Sequence, residues 1–546
     1  MSVRTMMKEE KAVGFLMSGI SLSPDADEKE VCAVAASEVK RAGMIPARLR
    51  FDICKRSVDA RKKDRVRLVY SVAVRSGDGT VVELPRKCRF TVAPLYDREM
   101  ALPRGNENCD LPPLVVGMGP AGLFCALLLA EQGYRPVLID RGDSVRERVR
   151  VHERFLREGI LDTESNVQFG AGGAGTFSDG KLLTRINDPL IGYVLRRFCE
   201  FGAPEEILVA AKPHIGTDLL VGIVEKMLVR IEELGGRVLY RCRLDGIREA
   251  GERGVVALTT AGEIPCSALV LAPGHSARDT YAMMMKQGYA VEPKPFSVGV
   301  RIEHLQKNID RAMYGEFAGH PKLGHGEYHL SDTTSGRGVY TFCMCPGGQV
   351  VGAASEDGGV VVNGMSQYAR DGANANSAVC VSVRPEDYGA TPEKAIEFQR
   401  TLERRAYAAG GSDYSAPVQT VGDFLAERRG SEPTTVRPTY RDGKVRLSSM
   451  DEILPPFVCR ELRLGLGSFE KKLEGFASPE AVLSGVETRT SAPVRILRTE
   501  GMTAVGHDRV YPCGEGAGYA GGITSAAVDG LRVAQTIMGR FAPVSE

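Results

Sequence analysis

The sequence lacks several features that identify common classes of protein. Its charge is nearly balanced, with 70 Lys and Arg against 69 Asp and Glu, so no global field favours nucleic acid or an anionic membrane. The most apolar segment, residues 121–130, is far shorter than the roughly 20 residues that span a bilayer. The N-terminus carries charges where a signal peptide has an apolar core, and the 13 cysteines show no disulfide spacing. These absences predict a protein of the reducing cytoplasm with no transmembrane helix and no membrane partner.

The segment "VVGMGPAG" fits the phosphate-binding turn of a dinucleotide-binding fold. Gly117, Gly119 and Gly122 form a G-x-G-x-x-G pattern directly after an apolar strand and at the start of a helix. In that context the glycines permit a tight turn, close approach of a pyrophosphate and close packing of helix on strand. Asp140 ends the next strand, 23 residues after Gly117, where a carboxylate can accept both hydroxyls of an adenosine ribose. These residues predict a dinucleotide site.

A second glycine-rich stretch, "PCGEGAGYAGGI", decides between the dinucleotides. It follows a short apolar strand, precedes a helix and contains five glycines between residues 514 and 522. Glu515 can reach a polyol, and a helix N-terminus near Gly521 can face an electron-rich ring. FAD has a ribityl chain and a ring that becomes anionic on two-electron reduction, and nicotinamide has neither. We therefore expect noncovalently bound FAD.

The chain is long enough for two or three hydrophobic cores. We expect an α/β fold: a Rossmann-like, three-layer FAD-binding domain with an inserted mixed α+β domain and a small N-terminal α+β domain. "NENCDLPP", residues 106–113, is interpreted as a linker, and the basic stretch 55–67 as a solvated hairpin rather than an anion or RNA site. The predicted domains are 1–110 (N-terminal), 111–280 (FAD-binding, first part), 281–493 (substrate and catalytic insertion) and 494–546 (FAD-binding, second part).

The sequence resembles flavoproteins of the glutathione-reductase-type FAD fold. It is more closely similar to the family of uncharacterised FAD-dependent dehydrogenases, also described as NAD(P)/FAD-dependent oxidoreductases. The likeness covers nearly the whole chain and rests on motifs such as "QFGAGGAGTFSDGKL", "APGHSARDT", "KPFSVGVRIEH" and "YPCGEGAGYAGGI". It implies a two-electron oxidoreductase in which Glu515 stands where such flavoproteins often carry Asp. The residues expected to contact FAD are Gly117, Gly119, Pro120, Ala121, Gly122, Asp140, Arg141, Gly172, Gly173, Ser178, Lys181, Leu244, Ala272, Gly274, Gly514, Glu515, Gly521, Gly522 and Ile523.

Catalytic residues are harder to identify in the insertion. In "YTFCMCPGG", strand alternation predicts Cys343 and Cys345 on one face with Met344 opposite, their Cα atoms roughly 6.6 Å apart. Our hypothesis is that this pair is redox-active, and simple packing is the alternative. Arg489, near the final glycine motif, is a candidate anion clamp. These three residues are the catalytic candidates.

Other polar residues of the insertion favour structural roles. In "VGVRIEH", Arg301 and Glu303 lie on one face of a probable strand, which indicates structural pairing. The three histidines of "HPKLGHGEYH" have no nearby cluster of cysteines or carboxylates, so we expect no metal site. "LRLGLGSF" follows no strand-like run and does not indicate a second dinucleotide motif.

The sequence leaves the substrate and the electron partner open. We expect a small-molecule substrate and, as electron partner, a transiently bound NAD(P)H or a protein donor. A flavin monooxygenase or halogenase is a second enzyme class consistent with the motifs. An RNA-associated flavoprotein using the basic hairpin is the alternative from another class, although the charge balance does not favour nucleic acid.

Overall fold

The N-terminal unit is an antiparallel sheet with one helix. The protein is described here by a computed structural model covering residues 11–97, 99–251 and 254–543. The first elements are β1 (Lys11–Leu22), α1 (Glu28–Arg41), β2 (Leu49–Asp59), β3 (Arg67–Ser76) and β4 (Thr91–Asp97). The strands are ordered β2-β3-β1-β4. Helix α1 begins at a capping box, in which the Asp27 carboxylate accepts from the Glu30 amide at 2.8 Å.

The next part of the chain builds most of a parallel sheet. Its elements are β5 (Leu114–Val116), α2 (Pro120–Glu131), β6 (Val137–Ile139), α3 (Val145–Glu158), α4 (Leu190–Glu200), α5 (Thr217–Glu233), β7 (Arg237–Leu239), β8 (Leu244–Glu249), β9 (Val255–Thr259), β10 (Gly262–Cys266), β11 (Leu269–Leu271) and α6 (Arg278–Lys286). Strands β8 to β10 form a separate antiparallel sheet. Helix α2 is buried on all sides, since it carries apolar residues at nearly every position.

A long insertion follows before the parallel sheet is completed. Its elements are β12 (Val291–Pro293), β13 (Phe296–Leu305), α7 (Gln306–Tyr314), β14 (Ser331–Asp332), β15 (Val339–Cys345), β16 (Gln349–Gly352), β17 (Val362–Met365), β18 (Asn374–Val383), α8 (Pro385–Tyr388), α9 (Pro392–Ala409), β19 (Ala416–Thr420), α10 (Val421–Leu425), β20 (Val445–Leu447), α11 (Pro456–Lys472), β21 (Val482–Glu487) and β22 (Val494–Ile496). Seven strands form one sheet in the order β14-β15-β18-β13-β21-β19-β20. The glycines of "LRLGLGSF" lie inside helix α11.

The final elements return to the parallel sheet. These are β23 (Val510–Pro512) and α12 (Ile523–Arg540). The sheet order is β23-β11-β5-β6-β7, and β11 pairs in parallel with both β5 and β23. Helix α12 packs so closely on α2 that a Cβ at Gly530 would lie 2.1 Å from the carbonyl oxygen of Ala121. The two glycine motifs therefore meet at one edge of one sheet.

The segment interpreted as a linker is packed rather than free. The amide of Gly105 donates to Met538 at 2.6 Å, and Glu107 pairs with Arg540 at the end of α12. Cys109 is buried against the parallel-sheet core. The connection is therefore fixed to the C-terminal helix, which its loop-like composition does not reveal. The predicted domain boundaries themselves stay predictions.

Candidate cofactor cleft and its reacting end

A cleft runs along the carboxyl ends of the parallel strands, where open α/β sheets bind ligands. It is lined by the turn between β5 and α2, the loop 168–183, the end of β11 and the final glycine motif, with β15 and β21 at its far end. The predicted residues that line it are Gly117, Gly119, Pro120, Ala121, Asp140, Arg141, Gly173, Ser178, Lys181, Leu244, Ala272, Gly274, Glu515, Gly521, Gly522, Ile523, Cys343 and Arg489.

Four predicted residues lie behind the cleft wall. A Cβ at Gly122 would lie 1.8 Å from the Gly117 carbonyl oxygen, so this glycine serves the packing of α2 on β5. The amide of Gly172 donates to Met118 at 2.8 Å, and that of Gly514 donates to the Asp529 carboxylate at 2.7 Å. Cys345 is fully buried. These residues shape or support the wall without forming its surface.

Other glycines leave open space on the cleft side. A Cβ at Gly274, Gly521 or Gly522 would meet nothing within 4 Å, and one at Gly119 would meet only the Gly173 Cα, at 3.8 Å. Helices α2 and α12 begin at Gly119 and Gly522, so two helix N-termini open onto this space. This glycine cradle with amide donors at both ends fits a long cofactor carrying a pyrophosphate and a redox ring.

Asp140 is held so that it can still accept hydroxyl groups. One carboxylate oxygen accepts from the Met118 amide at 2.8 Å and the other from the Gly142 amide at 2.9 Å. Each oxygen keeps a lone pair for a further donor. The neighbouring Arg141 pairs with Glu164 and Asp279, and its guanidinium lies 4.4 Å from the Phe169 ring centre. Arg141 is thus a neutralised part of the wall.

Glu515 lies in the wall beside the final glycine motif. Burial raises the pKa of its carboxyl to about 7, and the opposing charge of Lys294 lowers it only in part. The adjacent backbone is fixed by Tyr281, whose hydroxyl donates to the carbonyls of Gly516 at 2.9 Å and Gly274 at 3.1 Å. The turn that follows strand β23, rather than an ion pair, therefore fixes the position of the Glu515 carboxyl.

Cys343 lies at the far end of the cleft, and its geometry differs from simple alternation. Strand β15 has a register irregularity between Phe342 and Cys345, and Cys343 has a positive φ of 46°. This break turns Cys343 into the cleft while Cys345 stays buried, so the predicted shared face was wrong. The Cys345 thiol donates to the Cys343 carbonyl oxygen at 3.3 Å. Cys343 therefore lies at the cleft surface, and Cys345 lies behind it in the interior.

A buried arginine supports the cysteine pair from below. The Arg301 guanidinium donates to the Cys343 carbonyl oxygen and lies 3.8 Å from the Cys345 sulfur. Its carboxylate partner is Glu487 of β21, at 3.0 Å, instead of Glu303 on its own strand. A hydrogen bond from Cys345, together with the charges of Arg301 and Lys181, lowers the pKa of the Cys343 thiol, and the same bond raises that of Cys345. Of the two thiols, Cys343 is therefore the more readily ionised.

A second ion cluster borders the same end. Lys181, predicted to contact FAD, pairs with the fully buried Asp179. Asp179 also accepts from Arg370 at 2.5 and 2.9 Å, and Arg370 in turn pairs with Glu327. The neighbouring Ser178 hydroxyl donates to the Gly175 carbonyl at 2.6 Å, which closes the loop. This cluster links the cleft surface to the interior of the insertion.

The predicted anion-clamp role of Arg489 needs correction. Its guanidinium borders the cleft, but it forms two hydrogen bonds to Glu403, at 2.8 and 2.9 Å, and one to Ser355 at 3.1 Å. Arg278 forms two further bonds to Glu403, both at 2.8 Å. Because its guanidinium already binds a buried carboxylate that it shares with Arg278, Arg489 is not a free anion clamp.

Sequence reasoning missed the residues that support Cys343. Arg301 was interpreted as a partner of Glu303, but Glu303 accepts from Thr439 and Asn374 instead. Glu487 is 186 positions away from Arg301 along the chain and belongs to a different strand. No local spacing signals such a pair.

The histidines of the insertion lie apart with separate partners. His325 contacts Asp310 at 3.0 Å, His320 contacts Asp25 at 3.4 Å, and His329 contacts Arg185 at 3.3 Å. Within the residues that the structure describes, no group of three or more His, Cys, Asp or Glu side chains is arranged to hold a metal ion. Over the same residues, no helix is long and apolar enough to cross a membrane.

Comparison with known proteins places the chain in a family. A protein of Clostridium beijerinckii (strain ATCC 51743 / NCIMB 8052), described as uncharacterised, is 43% identical over 542 residues, covering 96% of this chain and 98% of that protein. The chain belongs to the same family as this clostridial protein. The family "FAD-dependent protein, C-terminal domain-like" matches residues 295–490, and the domain of unknown function DUF8436 matches residues 17–75. The cofactor of the protein is FAD.

Comparison with solved structures gives matches of low similarity. CtdE in complex with FAD has a TM-score of 0.33 and 12% identity, covering 79% of this chain and 84% of CtdE. Glycine oxidase from Geobacillus kaustophilus has a TM-score of 0.32 and 11% identity, covering 81% of this chain and 97% of the oxidase.

Proposed function

We propose that the protein is an FAD-dependent oxidoreductase that transfers two electrons between FAD and an unidentified small molecule, with Cys343 and Cys345 as its redox-active pair. One observation carries the proposal. Cys343 opens into the same cleft as the two glycine motifs, and Cys345 is hydrogen-bonded directly behind it. The insertion, which supplies Cys343 and Glu487, is then the substrate domain of a glutathione-reductase-type FAD fold.

The chemistry of the pair balances without a further reactant. Bound FAD supplies a two-electron acceptor. Starting from a thiolate on Cys343 and a thiol on Cys345, disulfide formation makes one S–S bond and releases two electrons and one proton. FAD, when bound, would be the acceptor of these two electrons and the proton. Arg301 stabilises the thiolate that starts this step.

The protein residues have separate roles in this proposal. The glycine cradle and the helix N-termini bind the cofactor, and Asp140 orients its ribose. The buried position of Cys345 excludes competing thiols from the inner sulfur, so exchange with a substrate takes place at Cys343. The positive charge of Lys181 stabilises negative charge at the end of the cleft where Cys343 lies.

Anaerobic reductive titration of the FAD-loaded protein tests the proposal. The fully oxidised wild type is expected to take up about four electrons per chain, two for flavin and two for a disulfide. Cys345→Ser should take up two, whereas Cys459→Ser, which removes a buried cysteine of helix α11, should take up four. Thiol counting under denaturing conditions should show two more reactive thiols in the reduced than in the oxidised wild type. Uptake of two electrons by all three proteins would show that the cysteines only pack.

The electron partner and the compartment belong to the same proposal. We expect NAD(P)H or a protein donor to reduce the protein transiently. All 13 cysteines are free in the structure, which fits a reducing cytoplasm. Oxygen consumption matched by a hydroxylated or halogenated product would instead assign the cleft to a monooxygenase or halogenase.

A further inference from the structure

A second cleft lies where the three parts of the chain meet. Its walls come from β2 and β3 of the N-terminal unit, from the segment 206–214 that follows α4, and from residues 313–327 and 368–370 of the insertion. Its volume is about 850 Å³. The cleft is separate from the cofactor cleft, and none of the residues expected to contact FAD lines it.

The position of the N-terminal unit creates this cleft. Strand β2 pairs with the segment after α4, because the Arg56 amide donates to Val209 at 2.7 Å and the Arg56 carbonyl accepts from Ala211 at 2.8 Å. Tyr314 and Leu323 of the insertion pack into the core of the N-terminal unit. The walls are therefore held by both backbone pairing and apolar contact, and the cleft is a fixed feature of the fold.

The cleft has an apolar interior and an aromatic face. Leu68, Ile207 and Leu323 contribute apolar side chains to its walls. The His214 and Tyr368 rings stack with their centres 5.4 Å apart and an angle of 25° between their planes. Burial, the first of several causes, lowers the pKa of His214, so its ring is neutral near pH 7. A flat ring with apolar edges has a complementary surface here.

The charged residues of the cleft are predominantly basic. Five cationic side chains line it against two carboxylates, Glu206 and Glu327. Carboxylates also contact these cations: Arg61 pairs with Asp59, Lys212 lies 3.6 Å from Glu327, and Arg370 shares Asp179 with Lys181. Another charged cleft, beside Arg278, differs in that it is lined by five arginines and five carboxylates.

We propose that this second cleft binds a small anion with an aromatic ring, of the nucleoside phosphate class. The ring lies against the Tyr368 side and the apolar wall, and the phosphates lie toward Arg61 and Lys212 at the rim. These two residues come from different parts of the chain, so the site requires the N-terminal unit. Binding at this site does not require the redox role of Cys343, although Arg370 and Glu327 of its wall also belong to the ion cluster around Asp179.

Isothermal titration of the full-length, FAD-saturated protein with ADP and with inorganic pyrophosphate tests this site. Saturation with FAD keeps ADP out of the cofactor cleft. We expect saturable ADP binding that weakens with added salt and is at least about tenfold tighter than pyrophosphate binding. Arg61→Gln and Lys212→Gln should each weaken ADP binding about tenfold, since each removes a charge-assisted contact.

Matched controls make each part of the proposal refutable. Lys226→Gln changes an exposed lysine of helix α5 outside the cleft and should leave ADP binding within about twofold of wild type. If Arg61→Gln and Lys212→Gln behave like this control, the site is wrong. Equal binding of ADP and pyrophosphate would refute the role of the ring. An RNA oligonucleotide that binds more tightly than ADP, with both variants weakening it, would assign the surface to nucleic acid instead.

Discussion

The buried Glu403 should be essential for stability, because it is the shared anion of two buried arginines. It accepts four hydrogen bonds from Arg278 and Arg489 at 2.8–2.9 Å and a fifth from the Thr488 hydroxyl at 2.7 Å. Although burial raises it, the pKa of Glu403 is held well below its usual range by the two guanidiniums. Glu403→Gln keeps the shape of the side chain but removes the carboxylate that pairs with Arg489 and leaves Arg278 with Glu356. Breaking a buried pair in this way costs about 3–5 kcal/mol.

Helix α9 offers a matched control in Glu397, which precedes Glu403 in the same helix. Glu397 is 52% exposed and pairs with Arg400 at 3.1 Å, so Glu397→Gln should cost at most about 1 kcal/mol. Urea unfolding at one fixed FAD concentration, followed by circular dichroism, measures both variants under the same linkage. If the two variants differ by less than about 1 kcal/mol, Glu403 is not the counter-ion that holds Arg278 and Arg489.

Three further predictions concern the cofactor cleft. Gly119→Val should reduce FAD affinity at least about 100-fold while the apoprotein stays folded. Gly122→Val should instead destabilise the apoprotein itself. FAD fluorescence quenching measures the first effect, and thermal unfolding measures the second. A chain ending at Asp508 lacks β23 and α12 and should not retain FAD through gel filtration, and a yellow protein would contradict the shared sheet. The folded-state pKa of Glu515 is raised from 4.5 to about 7, so this carboxyl favours the folded apoprotein most below pH 4.5 and progressively less up to pH 7. Glu515→Gln should flatten that part of the stability–pH curve, and an unchanged curve would show that the carboxyl is solvated.

Local spacing predicted the cofactor half of the cleft. The order of strand, glycine turn and helix around Gly117 depends on residues within one supersecondary unit, and the same holds for Gly522 before α12. The position of Asp140 at the cleft was predicted for the same reason, because Asp140 directly follows β6, the strand that pairs with β5. The two glycine motifs lie close together because neighbouring parallel strands place their carboxyl ends at the same edge of a sheet.

The reacting half depends on contacts that have no local pattern. Arg489 and Glu403 are 86 positions apart, and each finds its partner only when helix α9 packs beside the end of β21. Cys343 reaches the cleft because a strand irregularity gives it a positive φ, which strand alternation does not predict. Strand β1 was missed as well, and it completes the N-terminal sheet by pairing with β3 and β4.

The charge states of Cys343 and Glu487 depend on each other, because the ionic groups at the end of the cleft where Cys343 lies are balanced in number. Three cations and three carboxylates meet there: Lys181, Arg301, Arg370, Asp179, Glu327 and Glu487. Burial and, to a smaller extent, the negative charge of Cys343 raise the pKa of Glu487 to about 7 against the opposing effect of Arg301. Arg301 hydrogen-bonds to Glu487, and its charge also favours the ionised form of Cys343, so one negative charge near it can reside on the thiolate or on the carboxylate. Oxidation of Cys343 removes the thiolate, and Glu487 then becomes the favoured site of that charge. In the proposed redox cycle, loss of the thiolate therefore lowers the pKa of Glu487 and favours its ionised form, with Arg301 continuously paired.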